Sequence, residues 1–203
     1  MDLLPVFTAN TEGEQVPNIK YLTGSPRQIR FDAKEGSFNV NGKEPLGKSL
    51  SFQPLAWEIF TADILNMGQK TWVEMYFLDE KNRVCAVLFH GYSVKNLQQL
   101  IEPLYYDELT LADVMLTVTP DKKENTKIQP KGVYYIADFS YIMADEKRTA
   151  DLAELARTVD IYRAETINET RTTKATHGYR VPDAVLCRLL GLNGNGHALP
   201  AGN

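Results

Sequence analysis

The chain has 203 residues, of which 43% are hydrophobic and 24% charged, and it carries a formal net charge of −4. This composition is typical of a globular protein with a core of its own, and it excludes general disorder. The chain has no apolar run near the ~20 residues of a spanning helix and no secretory-type start, so we expect a cytoplasmic protein without a membrane partner.

The first segment, residues 1–52, predicts an extended arm followed by a hairpin. Residues 1–26 contain three prolines and little periodicity, which indicates the arm. In residues 28–41, β-forming residues flank a short loop in which Gly36 can take the left-handed conformation. The hairpin places Ile29 and Phe31 opposite Phe38 and Val40. Residues 42–49 are interpreted as a linker.

The second segment, residues 53–145, decides the predicted fold. It contains five strand-like runs: Pro54–Asn66, Thr71–Leu78, Arg83–Gly91, Leu111–Thr119 and Gly132–Met143. One helix, with Ser93 as N-cap, lies between the third and fourth runs. This order predicts an α+β, mainly β chain built on a five-stranded OB-type Greek-key barrel. A Greek-key barrel of another type is the structural alternative.

The third segment, residues 146–203, predicts C-terminal helices and a flexible tail. Glu146–Thr170 has helical spacing and Asp145 as a possible cap, and it would pack on the barrel or on a second copy. Residues 171–180 read as a mobile basic connector. A short helix is predicted at Pro182–Leu190, and the Gly- and Asn-rich tail after it is predicted to be disordered.

Catalytic and metal-binding motifs are not found. The histidines, His90, His177 and His197, are far apart, and no P-loop or G-x-S-x-G motif occurs. The two cysteines, Cys85 and Cys187, are expected to be reduced, buried thiols. We therefore expect no enzyme, no cofactor and no metal.

The second predicted strand could supply stacking surfaces for bases. Strict alternation directs Val73, Met75 and Phe77 toward the barrel interior and leaves Trp72 and Tyr76 pointing outward. Single-strand binders need exposed aromatic faces with cations nearby, and the next strand begins at Arg83 and ends at His90. The alternative is that the N-terminal hairpin or the C-terminal helix covers both rings.

Basic residues cluster in two places, although the middle segment is acidic overall. Residues 53–145 contain eight Lys and Arg and thirteen Asp and Glu. The loop before the last strand and the connector at 171–180 provide the candidate phosphate contacts. The candidate phosphate contacts are Lys122, Lys123, Lys127, Lys131, Arg171, Lys174 and Arg180. The aromatic Tyr134, next to the loop, is a further candidate contact. The alternative for the loop is that its lysines only keep it soluble. The alternative for the connector is that it is a solvated hinge.

The strand order, the Trp72/Tyr76 pair and the loop KKENTKIQPK resemble OB-fold single-stranded DNA-binding proteins, in particular the divergent versions of bacteriophages and mobile elements. The resemblance implies sequence-tolerant coating of single-stranded DNA in replication or recombination, without a cofactor. Bacterial members typically end in an acidic tail, and LNGNGHALPAGN departs from that pattern, as does the acidic excess over the barrel. The alternative is a protein-interaction or structural module without nucleic acid, in which the barrel is a scaffold and its aromatic residues form an interface between the subunits of a homo-oligomer.

Overall fold

The computed structural model describes residues 3–64, 66–126, 132–167, 171–189 and 191. The strands are β1 (Phe7–Ala9), β2 (Gln15–Pro17), β3 (Arg27–Asp32), β4 (Ser37–Val40), β5 (Glu44–Gly47), β6 (Leu50–Phe52), β7 (Pro54–Asp63), β8 (Gln69–Leu78), β9 (Val84–His90), β10 (Val114–Asn125), β11 (Gly132–Met143) and β12 (Thr172–His177). The helices are α1 (Tyr92–Tyr106), α2 (Glu146–Thr158) and α3 (Asp183–Leu189). The chain is therefore α+β and mainly β, as predicted.

The strands form one sheet of seven, one of three and one of two. The seven-stranded sheet has the order β12-β7-β8-β9-β3-β4-β5, the three-stranded sheet the order β11-β10-β6, and β1 pairs with β2. Strand pairs are antiparallel except β3 with β9. Only Gln53 separates β6 from β7, so one continuous run of chain joins the two larger sheets.

The predicted strands and helix of the middle segment occur in the predicted order, but they do not close into a barrel. Within the described ranges, β11 lies at the edge of its sheet and β9 pairs with β3 instead. The N-terminal hairpin thus occupies the edge of β9, where residues 27–29 lie beside residues 85–87. A backbone hydrogen bond from Tyr135 to the carbonyl of Ala33 (2.8 Å) links this hairpin to β11.

Both faces of β8 are buried, which explains why Trp72–Leu78 is buried throughout. Val73, Met75 and Phe77 lie in the main core between the sheets and α1, as the alternation predicts. On the other face, Tyr76 belongs to a second core that includes Leu152 and Leu155 of α2. The helix α2 therefore covers part of the face that the sequence leaves outward.

The predicted N-terminal hairpin is confirmed, because β3 and β4 pair in the expected register. Gly36 has φ of 62°, and a Cβ at this position would lie 2.7 Å from the ring of Tyr135. The turn thus needs glycine both for its conformation and for this close approach. The linker predicted at residues 42–49 is wrong, because β5 forms there and extends the sheet beyond β4.

Two predictions for the C-terminal segment are also wrong. The helix at Glu146 ends at Thr158, not Thr170, although Asp145 caps it through Arg148 N as expected. The basic connector is a strand, β12, because its backbone pairs with the free edge of β7. The short helix near Pro182 is confirmed as α3. The predicted flexible tail, residues 192–203, lies outside the described residues.

Candidate nucleic-acid interface

The two aromatic residues predicted to stack on bases are both buried, so the expectation that they point into solvent is wrong. Trp72 is 3% exposed, packs with Phe60, and donates its indole N–H to the carbonyl of Ala62 (3.0 Å). Tyr76 is fully buried, with its ring centroid 5.7 Å from that of Tyr179. Neither ring can stack on a base without displacing the chain that covers it.

A buried ionic network seals the outer face of β7 and β8. Glu74 pairs with Arg163 (2.6 Å), and Glu58 pairs with Arg171. Burial raises the pKa of Glu74, while the positive charges of Arg163 and Arg171 act in the opposite direction. Arg171 also lies 3.9 Å from the centre of the Phe60 ring. We call these residues, with Trp72 and Tyr76, the covered face.

Three of the predicted cationic residues form ion pairs with carboxylates of the chain. The Arg171 side chain is 6% exposed and serves the covered face. Arg83 pairs with Asp79 (2.6 Å) at the end of β9 opposite His90. Arg180 pairs with Asp160 (3.4 Å) on the surface. Each of these three guanidinium groups thus has a carboxylate partner in the structure, and that of Arg171 is also buried.

The basic hairpin of β10 and β11 is only partly available. Lys122 is exposed, whereas Lys123 pairs with Asp121 (2.6 Å). Tyr134 is exposed and lies opposite Lys123 in the ladder. Lys127 and Lys131 lie outside the described residues.

The remaining predicted residues, His90 and Lys174, line one groove, which we call the basic groove. Its volume is about 440 Å³. Three residues that the sequence reasoning missed complete its chemistry, and they are Lys70, Tyr92 and Lys95. The spacing of Tyr92 and Lys95, one turn apart at the start of a helix, is a signal that sequence analysis could have used.

The basic groove carries an excess of positive charge among the described residues. In that part of the chain no Asp or Glu lines it, and none of its three lysines has an ion-pair partner. Tyr92 is 62% exposed, and the Lys95 ammonium lies 5.2 Å from the centre of its ring. Desolvation, followed by the charge of Lys70, lowers the pKa of His90, whose ring lies 4.7 Å from that of Trp72.

A smaller cavity of about 210 Å³ continues the basic groove toward the β10–β11 hairpin. The two cavities share His90, Gly91 and Tyr92, and the smaller one reaches Tyr134 and Tyr135. The surface thus runs from three lysines to a group of tyrosines. Lys122 lies directly across the ladder from Tyr135, so its cation is near the far end.

The start of α1 positions this surface. Gly91, with φ of 64°, turns the chain from β9 into the helix. The prediction that Ser93 caps the helix is wrong, because Ser93 Oγ accepts the backbone N–H of Ala137 (2.9 Å) in β11. Asn96 donates to the carbonyl of the same residue (2.9 Å). These two bonds hold α1 against β11 and so hold Tyr92 near Tyr134.

Comparison of the chain with protein-family models, with curated proteins and with solved structures gave no match. Across the described ranges, no group of three His, Cys, Asp or Glu is placed to hold a metal ion. In the same ranges, every helix is too short or too polar to cross a membrane.

Proposed function

We propose that this chain binds single-stranded nucleic acid, with DNA the favoured form, along the basic groove and its tyrosine-lined extension. The observation that carries the proposal is the combination of three lysines, no carboxylate and an exposed Tyr92 in one groove. Phosphates would lie near the lysines, and unpaired bases would stack on the tyrosines. This binding is sequence-tolerant, since neither contact reads the base edges.

Local charge makes the proposal compatible with a net charge of −4. Three acidic residues of the middle segment lie away from the basic groove: Glu58 and Glu74 in the covered face, and Asp79 with Arg83 at the other end of β9. A polyanion approaching the basic groove therefore meets a positive surface at short range. Because salt screens charges beyond a Debye length of about 10 Å at 0.1 M, the nearby lysines dominate the attraction.

The strand arrangement supports an OB-type relationship without a closed barrel. The long run β6–β7 pairs with β10 through its first part and with β8 through its second. The helix α1 follows the third strand of this set, as in the OB plan. On this proposal, the N-terminal hairpin has been added at the edge of β9, and replication or recombination is the process served.

The direct test is a titration of a fluorescently labelled oligo-dT by anisotropy at two or more salt concentrations. Wild type should bind with a steep salt dependence. The triple variant K70Q/K95Q/K174Q should lose affinity, and the log–log salt slope should fall by about 0.7 per lysine removed. The matched control is Lys43→Gln, an exposed lysine next to Glu44, which pairs with Arg27 away from the basic groove.

An equal loss in the triple variant and in Lys43→Gln would show that binding is general surface attraction. No binding by wild type at low salt would end the proposal. Circular dichroism of each variant confirms that the fold is retained. A matched oligo-rU titration decides between DNA and RNA.

A protein-interaction role has one observation in its favour. Residues Ser140–Met143 end the edge strand β11, carry no charge and are all exposed, with Ile142 70% exposed. An exposed apolar edge strand is a template for pairing with another chain. Analytical ultracentrifugation of wild type and Ile142→Lys separates the two roles: an assembly lost in the variant, without nucleic-acid binding in wild type, favours this second function.

A further inference from the structure

A second cavity lies at the other end of the β8–β9 hairpin from the basic groove. Its volume is about 500 Å³, which is within the usual range for small-molecule sites. The apolar side chains that open to it are the partly exposed Leu46, Leu50 and Met115. Phe52 and Phe77 lie buried behind them, with stacked rings whose centroids are 4.3 Å apart. An aromatic ring or a short apolar chain would find complementary surface there.

Most charges at the rim of this cavity neutralise one another. Arg27 pairs with Glu44 (3.1 Å) and Asp79 (3.4 Å). Arg83 pairs with Asp79 (2.6 Å) and Glu80 (3.5 Å). These four contacts use the three carboxylates that line the cavity.

Arg148, on α2, is the lining guanidinium that this network leaves out. Its Nη1 donates to the carbonyl of Leu4 (3.2 Å), and no carboxylate lies within ion-pair distance in the described ranges. Desolvation lowers the pKa of Arg148, while Asp151 and Asp145 act in the opposite direction. An arginine nevertheless stays charged at neutral pH, so a half-buried cation faces this cavity with no ion-paired carboxylate among the described residues.

We propose that the cavity binds a small amphipathic anion, whose apolar body lies on Leu46, Leu50 and Met115 and whose carboxylate or phosphate binds Arg148. The planar guanidinium suits both oxyanions, since it can donate two parallel hydrogen bonds to either. The site shares no lining residue with the basic groove, so the test of this proposal does not depend on nucleic-acid binding.

The test is isothermal titration calorimetry with three probes that share one ring system. The probes are 1-naphthylacetate, 1-naphthyl phosphate and the neutral 1-naphthylacetamide. Wild type should bind at least one of the anions saturably, and at least about tenfold more tightly than the amide, because only the anions pair with Arg148. The anion that binds more tightly identifies the headgroup.

Two variants and one control locate the binding. Arg148→Gln should weaken anion binding about tenfold or more, and Ser49→Trp, at an exposed lining position, should do the same by filling the cavity. Lys147→Gln removes a charge from the neighbouring helix position outside the cavity and should change nothing.

If Arg148→Gln fails to fold, Ser49→Trp decides the question. The proposal is overturned if neither anion binds wild type up to about 5 mM. It is also overturned if the amide binds as well as the anions, or if the folded variants bind like wild type.

Discussion

The covered face and the basic groove contain the same kinds of residues and differ in what surrounds them. Both combine cations with aromatic rings: Arg171 with Phe60 in one, Lys95 with Tyr92 in the other. In the covered face, two buried glutamates match the arginines. In the basic groove no carboxylate is found among the described residues, and the ring is open to solvent. Basic and aromatic composition therefore indicates a candidate binding surface only where the positive charge has no carboxylate partner.

The contrast is sharpest between Arg171 and Lys174, which lie three residues apart at β12. Arg171 reaches Glu58 beneath the strand, whereas Lys174 is exposed and lines the basic groove. The connector that reads as one basic cluster in sequence is thus divided between a structural role and a candidate binding role. Each of the following measurements tests one side of that division.

The largest expected effect is on stability, from breaking the buried pair in the covered face. Arg171→Ala should lower the free energy of unfolding by about 3–5 kcal/mol, because Glu58 would be left buried without its cation. Urea denaturation measures the change. Arg180→Ala is the control, since its pair with Asp160 is exposed and should contribute at most about 1 kcal/mol. Equal losses would mean that the covered face is not sealed by this pair.

The next effect is on nucleic-acid affinity, from removing one exposed ring. Tyr92→Ala should weaken oligo-dT binding by about 1–3 kcal/mol, the contribution of one stacked base. Tyr106→Ala, at the far end of the same helix and 76% exposed, should leave affinity unchanged. Anisotropy titration measures both. If the two variants lose the same affinity, the ring of Tyr92 is not a specific contact.

Trp72→Phe tests the covered face in the same assay. Since Trp72 is buried, the variant should bind oligo-dT within about twofold of wild type, a change well below the contribution of one stacked base. Its stability should fall because the indole hydrogen bond to Ala62 is lost. A large loss of affinity in a correctly folded variant would instead indicate that Trp72 of β8 stacks on bases.

The last predicted effect is a pH dependence that arises from His90. Its pKa is below the ordinary histidine value, so the ring is neutral at pH 7 and gains a positive charge only as the pH falls below about 6.5. Oligo-dT affinity should therefore rise by about 1 kcal/mol, the attraction of one solvated charge pair, as the pH is lowered below about 6.5 through the titration of His90. His90→Gln should remove this rise. A variant with the same pH profile as wild type would assign the titration to another group.

Several features of the fold could be predicted from local patterns. Alternation in β8 correctly assigns Val73, Met75 and Phe77 to the core, because neighbouring side chains on a strand must point to opposite faces. Helical spacing identifies α1 and the first part of α2. The loop at Gly36 is correct because only glycine takes that conformation without strain.

The candidate site was predicted less well, since its residues come from separate elements. His90 and Lys174 were found because they are conspicuous among strand and connector residues. Lys70 was missed because it sits singly at the start of β8, and only the fold places it beside His90. The orientation of Trp72 was predicted correctly as away from the main core, but its environment was not.

The sequence by itself determined the order of the central strands and helix, the side of β8 that faces the main core, and the turn at Gly36. These depend on contacts and torsions within a few residues, so a local pattern is sufficient. The tertiary structure alone decided that β3 takes the edge of β9, that Arg171 neutralises Glu58 and that three lysines share one groove. These outcomes depend on which distant segments pack together, and Arg171 and Glu58 are 113 residues apart in the chain.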